Sequence, residues 1–307
     1  MAQSIRTQNY PVFEKGTFQS HPDLFNRFEQ NAPDHLQSKY ERLWQSLPRY
    51  EETITWPLVS GPGFCGATHP GADTVFVDIM VGINSYVYNS DCLYINPARR
   101  IFAISDPPGI TTGSRRLFER LDGYLRTASD DLDAYFNRLN RETRPEEGAT
   151  LSLVHVPEDR PGIAQVIIAG DTFLLHGNAS RGTIRIIRGC QDFIGTPYAT
   201  FESQEILCEP GDFFLIASDG ILSMVHADPL RKLENALRPY INGDPEDMVR
   251  RILVDCNAYY RETIFDRTFS RFGGNDNVSL LLVAPEKLEE STSAASVILG
   301  GYIEERG

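Results

Sequence analysis

The sequence is organised around a short apolar run that ends in a carboxylate. Gly211 and Asp212 form a turn signal, residues 213–217 are wholly apolar, and Ser218-Asp219-Gly220 follows at once. A run of this length between turn residues predicts a buried central β-strand. The Asp219 carboxylate then stands where the strand leaves the core, and a charge there is costly unless a cation or hydrogen-bond donors meet it. An ordinary surface turn is the alternative, because Asp-Gly is a common turn dipeptide.

Three further carboxylates border apolar runs in the same way. Asp106 follows one such run, and Asp91 and Asp276 each precede one. Magnesium and manganese are hard cations that take oxygen donors in octahedral arrays, so aspartates at the ends of neighbouring strands suit them. The repetition favours a divalent-cation site at one end of a sheet over four unrelated turns.

The order of the predicted elements indicates the fold class. Strand patterns begin at residue 53, two helices separated by Ser129-Asp130-Asp131 interrupt them, and two more helices precede the last strand. Strands and helices grouped in this way favour an α+β fold, with two packed antiparallel β-sheets flanked by helix pairs. The predicted strands are 53–59, 75–81, 92–95, 101–105, 150–156, 163–169, 172–176, 183–188, 204–208, 213–217 and 278–284, and the predicted helices lie within 113–141, 229–237 and 245–261.

Composition divides the chain into three parts. Residues 1–52 are predicted to be a helical N-terminal extension, 53–285 a single domain and 286–307 a polar C-terminal tail. Within the domain, the glycine- and proline-rich segment 61–71 is predicted to be a loop.

Charge and cysteine usage exclude several classes of function. The 307 residues are 41% hydrophobic and carry a formal net charge of -13, which argues against nucleic acid or an anionic membrane as a partner. The five scattered cysteines contain no Cys-x-x-Cys pair and favour reduced thiols over disulfides or a zinc site. No apolar run approaches the roughly 20 residues that cross a bilayer, and the N-terminus lacks the apolar core of a signal peptide. We therefore expect a cytoplasmic protein.

Six short motifs, taken in chain order, resemble those of the PPM-type (type 2C) metal-dependent protein phosphatases. They are Asn89-Ser90-Asp91, residues 101–106, Gly148-Ala149-Thr150, Gly170-Asp171-Thr172, residues 211–220 and Asp276-Asn277-Val278-Ser279. Two predicted helices fall between the second and third motifs, as in the family, and the resemblance covers roughly residues 53–284. It implies an αββα sandwich, with metal ions in a cleft at one end.

The resemblance also implies roles for individual residues. Asp106, Asp219 and Asp276 would ligate one Mg²⁺ or Mn²⁺ ion. Asp106 would bridge to a second ion with the backbone carbonyl of Pro107, and Asp91 would hold metal-bound waters, which makes Asp91 and Asp106 the catalytic pair. Such a site hydrolyses phosphomonoesters with metal-activated water, while the cations neutralise the phosphoryl oxygens. The implied substrate is a phosphorylated small molecule or a phosphoprotein.

Three positions depart from the family pattern. Pro107 replaces the glycine after the second-motif aspartate and fixes φ at about -65°, and Ser90 replaces an acid or amide. Tyr86 stands where the family has a phosphate-binding arginine, and tyrosine cannot make the bidentate phosphate contact of a guanidinium. These changes spare the ligands of the first metal and alter the second metal site and the phosphate pocket. Four arginines are candidates to replace the missing one: Arg99, Arg100, Arg115 and Arg116.

Three functions stay open on this reading. The chain is an active metal-dependent phosphatase with an altered phosphate pocket, a non-catalytic pseudophosphatase that binds a partner, or an enzyme that uses the metal cleft for other chemistry on a small molecule. The four retained acids favour the first, because nothing structural demands buried carboxylates there. His69 is a candidate proton donor to the leaving group.

Overall fold

The structure is a computed structural model that describes residues 6–11, 55–69, 86–109, 111–126, 131–222, 225, 232–253, 256, 277–289 and 296–305. The strands are β1 Arg6–Pro11, β2 Thr55–Gly61, β3 Phe64–His69, β4 Tyr86–Asn96, β5 Ile101–Ser105, β6 Leu151–His155, β7 Ile163–Ala169, β8 Phe173–Asn178, β9 Thr183–Ile187, β10 Gln204–Leu207, β11 Asp212–Ala217, β12 Val278–Val283 and β13 Val297–Glu305. The helices are α1 Gly113–Leu125, α2 Leu132–Glu142, α3 Leu233–Leu237 and α4, residues 245–253.

The described strands form two antiparallel sheets. One sheet has seven strands in the order β1-β2-β3-β12-β11-β8-β9, and the other has six in the order β10-β7-β6-β5-β4-β13. Helices α1 and α2 pack on the outer face of the six-stranded sheet, and α3 and α4 pack on the outer face of the other. The prediction of an α+β fold with two antiparallel sheets flanked by helix pairs is confirmed.

The apolar run at the centre of the sequence is the central strand β11, and its two faces serve different cores. Phe214 and Ile216 lie in the core between the sheets, whereas Leu215 and Ala217 lie in the core under α3 and α4. This alternation follows from the two-residue repeat of a β-strand. Because both faces are covered, the strand reads as a continuous apolar run.

The predicted break between the first two helices is also present. The Asp131 side chain accepts a hydrogen bond from the Ala134 backbone N–H at 2.9 Å and thereby caps the N-terminus of α2. Among the described residues, no helix is long and apolar enough to cross a membrane.

The structure contains three strands that the sequence did not predict. Segment 61–71 was expected to be a loop, but residues 62–63 form a tight turn and Phe64–His69 is strand β3, which lies between β2 and β12. Strand β1 pairs with β2, and β13 pairs with β4. The expectation that residue 284 closes the strand set was therefore wrong. The predicted strand 75–81 lies outside the described residues, and so do residues 12–52 of the extension that was predicted to be helical.

Candidate metal centre

Asp91 and Asp106 occupy neighbouring positions at one end of the six-stranded sheet. Cys92 of β4 and Ser105 of β5 form the last pair between these strands, and Asp91 and Asp106 are the residues next to that pair in the chain. Asp91 is only 1% exposed and Asp106 is partly exposed, so this carboxylate pair lies at the rim of the core.

The backbone of Asp106 is held by Thr150 on the neighbouring strand end. The Asp106 N–H donates to Thr150 Oγ1 at 2.8 Å, and the Thr150 N–H donates to the Asp106 carbonyl at 2.9 Å. Gly170 lies against the same threonine, since a Cβ at residue 170 would stand 2.8 Å from Thr150 Cγ2. The Gly-Ala-Thr and Gly-Asp-Thr motifs thus support the position of Asp106.

Asp219 begins the 3-10 turn Asp219–Leu222, directly after β11. The turn is fastened to β12, because the Ser218 N–H donates to the Ser279 carbonyl at 3.0 Å and the Ser279 N–H donates to Ser218 Oγ at 2.9 Å. Gly220 permits this close approach, since a Cβ at that position would lie 2.2 Å from the Asn277 carbonyl oxygen. Asp219 is therefore carried on the seven-stranded sheet, close to the start of β12.

Asp276, the fourth predicted ligand, lies outside the described residues, but its neighbour Asn277 is described. Asn277 Oδ1 accepts a hydrogen bond from the Ser90 backbone N–H at 2.7 Å. In the structure it joins the start of β12 to the Asn-Ser-Asp motif of the other sheet.

A buried polar layer lies beside this contact. Asn89 Nδ2 donates to Thr68 Oγ1 at 2.7 Å, and Thr68 Oγ1 lies 2.6 Å from Ser279 Oγ. All three side chains are at most 1% exposed. Sequence analysis missed Thr68 because its strand, β3, was predicted to be a loop; the polar Thr68 and Ser279 within apolar strands are the signal that was available.

The three residues that depart from the family pattern lie in different surroundings. Pro107 is buried directly after Asp106. Ser90 is 4% exposed, and its hydroxyl has no hydrogen-bond partner within the described parts of the chain. Tyr86 is the first residue of β4 and pairs with Glu305 of β13.

The structure separates the four candidate arginines into two pairs. Arg99 and Arg100 lie in the turn between β4 and β5, at the end of β5 opposite Asp106. Arg115 and Arg116 lie in the first turn of α1, the helix that follows Asp106 in the chain. Arg115 contacts Glu119 at 3.0 Å and donates to the Gly300 carbonyl at 3.3 Å, and Arg116 contacts Glu147 at 3.4 Å. Only this second pair lies at the carboxylate end.

His69 is the last residue of β3 and is 3% exposed, so it is not in a loop. Its burial lowers the pKa of the imidazole to about 3. The ring is therefore neutral near pH 7, and the hypothesis that His69 donates a proton to a leaving group loses its support.

The donor atoms fit a hard divalent cation, because they are carboxylate oxygens with a backbone carbonyl beside them. Within the described residues, no group of three or more His, Cys, Asp or Glu side chains is close enough to hold a metal ion. The structure thus places Asp91 and Asp106 next to the last pair of β4 and β5 and Asp219 on the facing sheet, with Asp276 beyond the described part.

No known protein-family profile and no curated protein matches this sequence. Solved structures do match by fold. RsbX, solved in complex with magnesium, aligns with a TM-score of 0.50 at 12% identity and covers 74% of this chain and 98% of its own. The PPM Ser-Thr phosphatase MsPP from Mycobacterium smegmatis, solved with cacodylate, has a TM-score of 0.47 at 19% identity and covers 72% and 97%. The catalytic domain of the phosphatase PstP, solved with 2 manganese ions, has a TM-score of 0.46 at 16% identity and covers 64% and 91%. The structural neighbours of this chain are PPM-type (type 2C) serine/threonine phosphatases, and the chain has their fold.

Proposed function

We propose that this protein is a divalent-metal-dependent phosphomonoester hydrolase with an altered phosphate pocket. The observation that supports the proposal is that Asp91 and Asp106 both adjoin the last pair of β4 and β5, Cys92 with Ser105. A paired, partly buried set of carboxylates is costly unless a cation neutralises it. The resemblance of the six motifs to those of the phosphatase family supports the same chemistry at this end of the sandwich.

In this proposal, Asp106, Asp219 and Asp276 would hold one Mg²⁺ or Mn²⁺ ion, Asp106 with the Pro107 carbonyl would contact a second, and Asp91 would hold metal-bound waters. The bound cation supplies two effects, a lowered pKa of water and neutralisation of phosphoryl oxygens. Thr150 fixes Asp106 through the 2.8 Å bond to its N–H, so the carboxylate is held in place before substrate arrives. Asp91 accepts hydrogen bonds from water at the rim and orients it toward the substrate.

The phosphate contact in this proposal comes from the first turn of α1. Arg99 and Arg100 are at the wrong end of β5, which leaves Arg115 and Arg116. Each of these arginines forms an ion pair with a glutamate, and the side chains of both partners are partly exposed. Exposed ion pairs contribute about 0–1 kcal/mol to stability, so a phosphoryl group can displace the glutamate. The helix N-terminus adds partial positive charge at the same place.

The proposed substrate class is the one that the family resemblance implies. We propose a phosphorylated small molecule or a phosphoprotein as the substrate, in the cytoplasm, without nucleic acid or membrane as a partner. The loss of the family arginine at Tyr86 favours a substrate whose phosphoryl group is bound from a different side than in the family.

The test is hydrolysis of p-nitrophenyl phosphate with Mn²⁺, with Mn²⁺ binding measured by calorimetry on the same samples. Asp219→Asn removes one proposed ligand charge and is expected to abolish turnover and to weaken Mn²⁺ binding. Asp171→Asn is the matched control, because Asp171 is an exposed aspartate of the Gly-Asp-Thr motif with no proposed metal contact.

The outcomes separate the three functions. Metal-dependent turnover that Asp219→Asn removes and Asp171→Asn preserves supports the phosphatase. Mn²⁺ binding without turnover contradicts it and supports other chemistry at the cleft. If the protein shows no Mn²⁺ binding and no turnover, that result also contradicts the phosphatase and supports a pseudophosphatase that binds a partner.

A further inference from the structure

Strand β4 contains an irregularity at the Asn-Ser-Asp motif. Cys92 pairs with Gly300 of β13, but the next aligned pair is Asn89 with Tyr302. Two residues of β4, Ser90 and Asp91, therefore oppose one residue of β13. This is a β-bulge, a feature that bends the bulged strand and re-aims its side chains, and bulges are frequent beside active sites.

The facing residues on β13 are two glycines in left-handed backbone conformations. Gly300 has φ 83° and Gly301 has φ 63°, values that side-chain-bearing residues rarely adopt. A Cβ at residue 300 would lie 2.1 Å from the Asp91 carbonyl oxygen, which is far inside contact distance. The bulge thus requires glycine at 300, because the backbone of Asp91 occupies the space of a side chain.

Gly301 touches a different element. A Cβ at residue 301 would lie 2.6 Å from the Cβ of Arg115 and 3.1 Å from its backbone nitrogen. Arg115 in turn donates to the Gly300 carbonyl at 3.3 Å. One glycine therefore faces the candidate metal centre, and the other faces helix α1.

The bulge is also fixed from the opposite side. The Ser90 N–H donates to Asn277 Oδ1 at 2.7 Å, so β12 holds the first bulge residue while β13 packs against the second. Asp91 is 1% exposed, and its backbone lies between these two contacts.

We propose that β13 is part of the candidate metal centre, with Gly300 as a positioning residue that imposes the β4 bulge and thereby aims Asp91. This inference rests on the proposed metal site. It assigns a role to residues 297–305, which the sequence pattern placed in a polar tail. Gly300 acts through Asp91 and touches neither metal nor substrate.

The test compares Mn²⁺ binding of the full chain with Gly300→Ala and with Gly301→Ala, by calorimetry, with circular dichroism as a check of the fold. Both substitutions strain a positive φ in the same bulge, so both are expected to lower the melting temperature. Only Gly300→Ala displaces the Asp91 backbone, and it is expected to weaken Mn²⁺ affinity about 10- to 100-fold, the usual loss when a residue that orients a ligand is changed. Gly301→Ala is expected to retain the affinity of the wild type.

If Gly300→Ala fails to fold, Gly300→Asn replaces it in the binding measurement. Asparagine tolerates a left-handed φ, and its Cβ makes the same collision with the Asp91 carbonyl oxygen. Equal Mn²⁺ affinity in the wild type and in the residue-300 variant would overturn the proposal, and so would equal losses from the two glycines. A wild type that binds no Mn²⁺ would instead refute the metal site itself, which keeps the two failures distinct.

Discussion

At the scale of single residues, Thr150 shows how a side chain without a ligand role can fix one that has it. Its hydroxyl accepts the N–H of Asp106, and its backbone N–H donates to the carbonyl of the same residue. Asp106 leaves β5 at the point where the sheet ladder ends, so without Thr150 its N–H would lose its partner. The weakest of the six motifs, Gly-Ala-Thr, thus has a direct physical purpose.

We predict that Thr150→Val destabilises the protein and weakens Mn²⁺ binding. Valine keeps the shape of threonine but leaves the Asp106 N–H unsatisfied, which costs about 1–3 kcal/mol when the group is buried. The backbone at Asp106 would also relax, so its carboxylate would be less well placed. Urea unfolding and Mn²⁺ calorimetry measure the two effects.

Thr172→Val is the matched control for this change. Thr172 Oγ1 lies 2.9 Å from Ser152 Oγ, so loss of this contact should lower stability and spare Mn²⁺ affinity. Unchanged Mn²⁺ affinity in Thr150→Val would show that Thr150 does not position the carboxylate.

At the scale of elements, helix α1 carries an exposed glycine in its interior. Gly123 lies within Gly113–Leu125, and a Cβ there would have no atom within 4 Å. Glycine in a helix interior is less favourable than alanine by about 0.5–1 kcal/mol, because it loses more backbone entropy on folding. We predict that Gly123→Ala raises the free energy of unfolding by that amount, measured by urea denaturation, and leaves Mn²⁺ affinity unchanged. A decrease in stability would mean that the helix at residue 123 is packed more tightly than the structure shows.

The elements also show what sequence patterns can and cannot predict. Strand β5 and strand β7 were predicted with their observed bounds, because each is a short apolar run between turn residues. Strand β3 was missed because Gly66, Thr68 and His69 break the apolar pattern, although every residue of the strand is buried. Strand β13 was missed because Gly300 and Gly301 interrupt it, and glycine usually marks a turn.

In the candidate site, too, some features are visible in the sequence and others are not. Asp91, Asp106 and Asp219 could be proposed from the sequence, because a carboxylate beside an apolar run is visible in the sequence alone. The contacts that position them were not found, since the register of β4 against β13 and the bond from Ser90 to Asn277 join residues far apart in the chain. Such contacts depend on how strands are ordered in a sheet, and that order cannot be derived from a single sequence.

At the scale of the whole molecule, the two sheets are joined at the carboxylate end by buried hydrogen bonds as well as by apolar packing. Asn277, on the seven-stranded sheet, accepts a hydrogen bond from the Ser90 N–H of the six-stranded sheet. Asn89, on the six-stranded sheet, donates a hydrogen bond to Thr68 of the seven-stranded sheet. Asp91 and Asp106 are on one sheet, and Asp219 is on the other. The separation of these carboxylates therefore depends on how closely these bonds hold the sheets.

We predict that Asn277→Ala weakens Mn²⁺ binding along with stability. The substitution leaves the buried Ser90 N–H without its acceptor at a cost of about 1–3 kcal/mol, and it frees the bulge beside Asp91 from β12. Asn137→Ala is the control, because Asn137 makes paired hydrogen bonds with the backbone of Phe201 at 2.9 and 3.1 Å, within the helix layer of one sheet. Both variants should unfold at lower urea concentration, but only Asn277→Ala should need more Mn²⁺ for half-saturation. If the two variants lose stability alike and bind Mn²⁺ as the wild type does, the bonds between the sheets stabilise the fold without setting the geometry of the site.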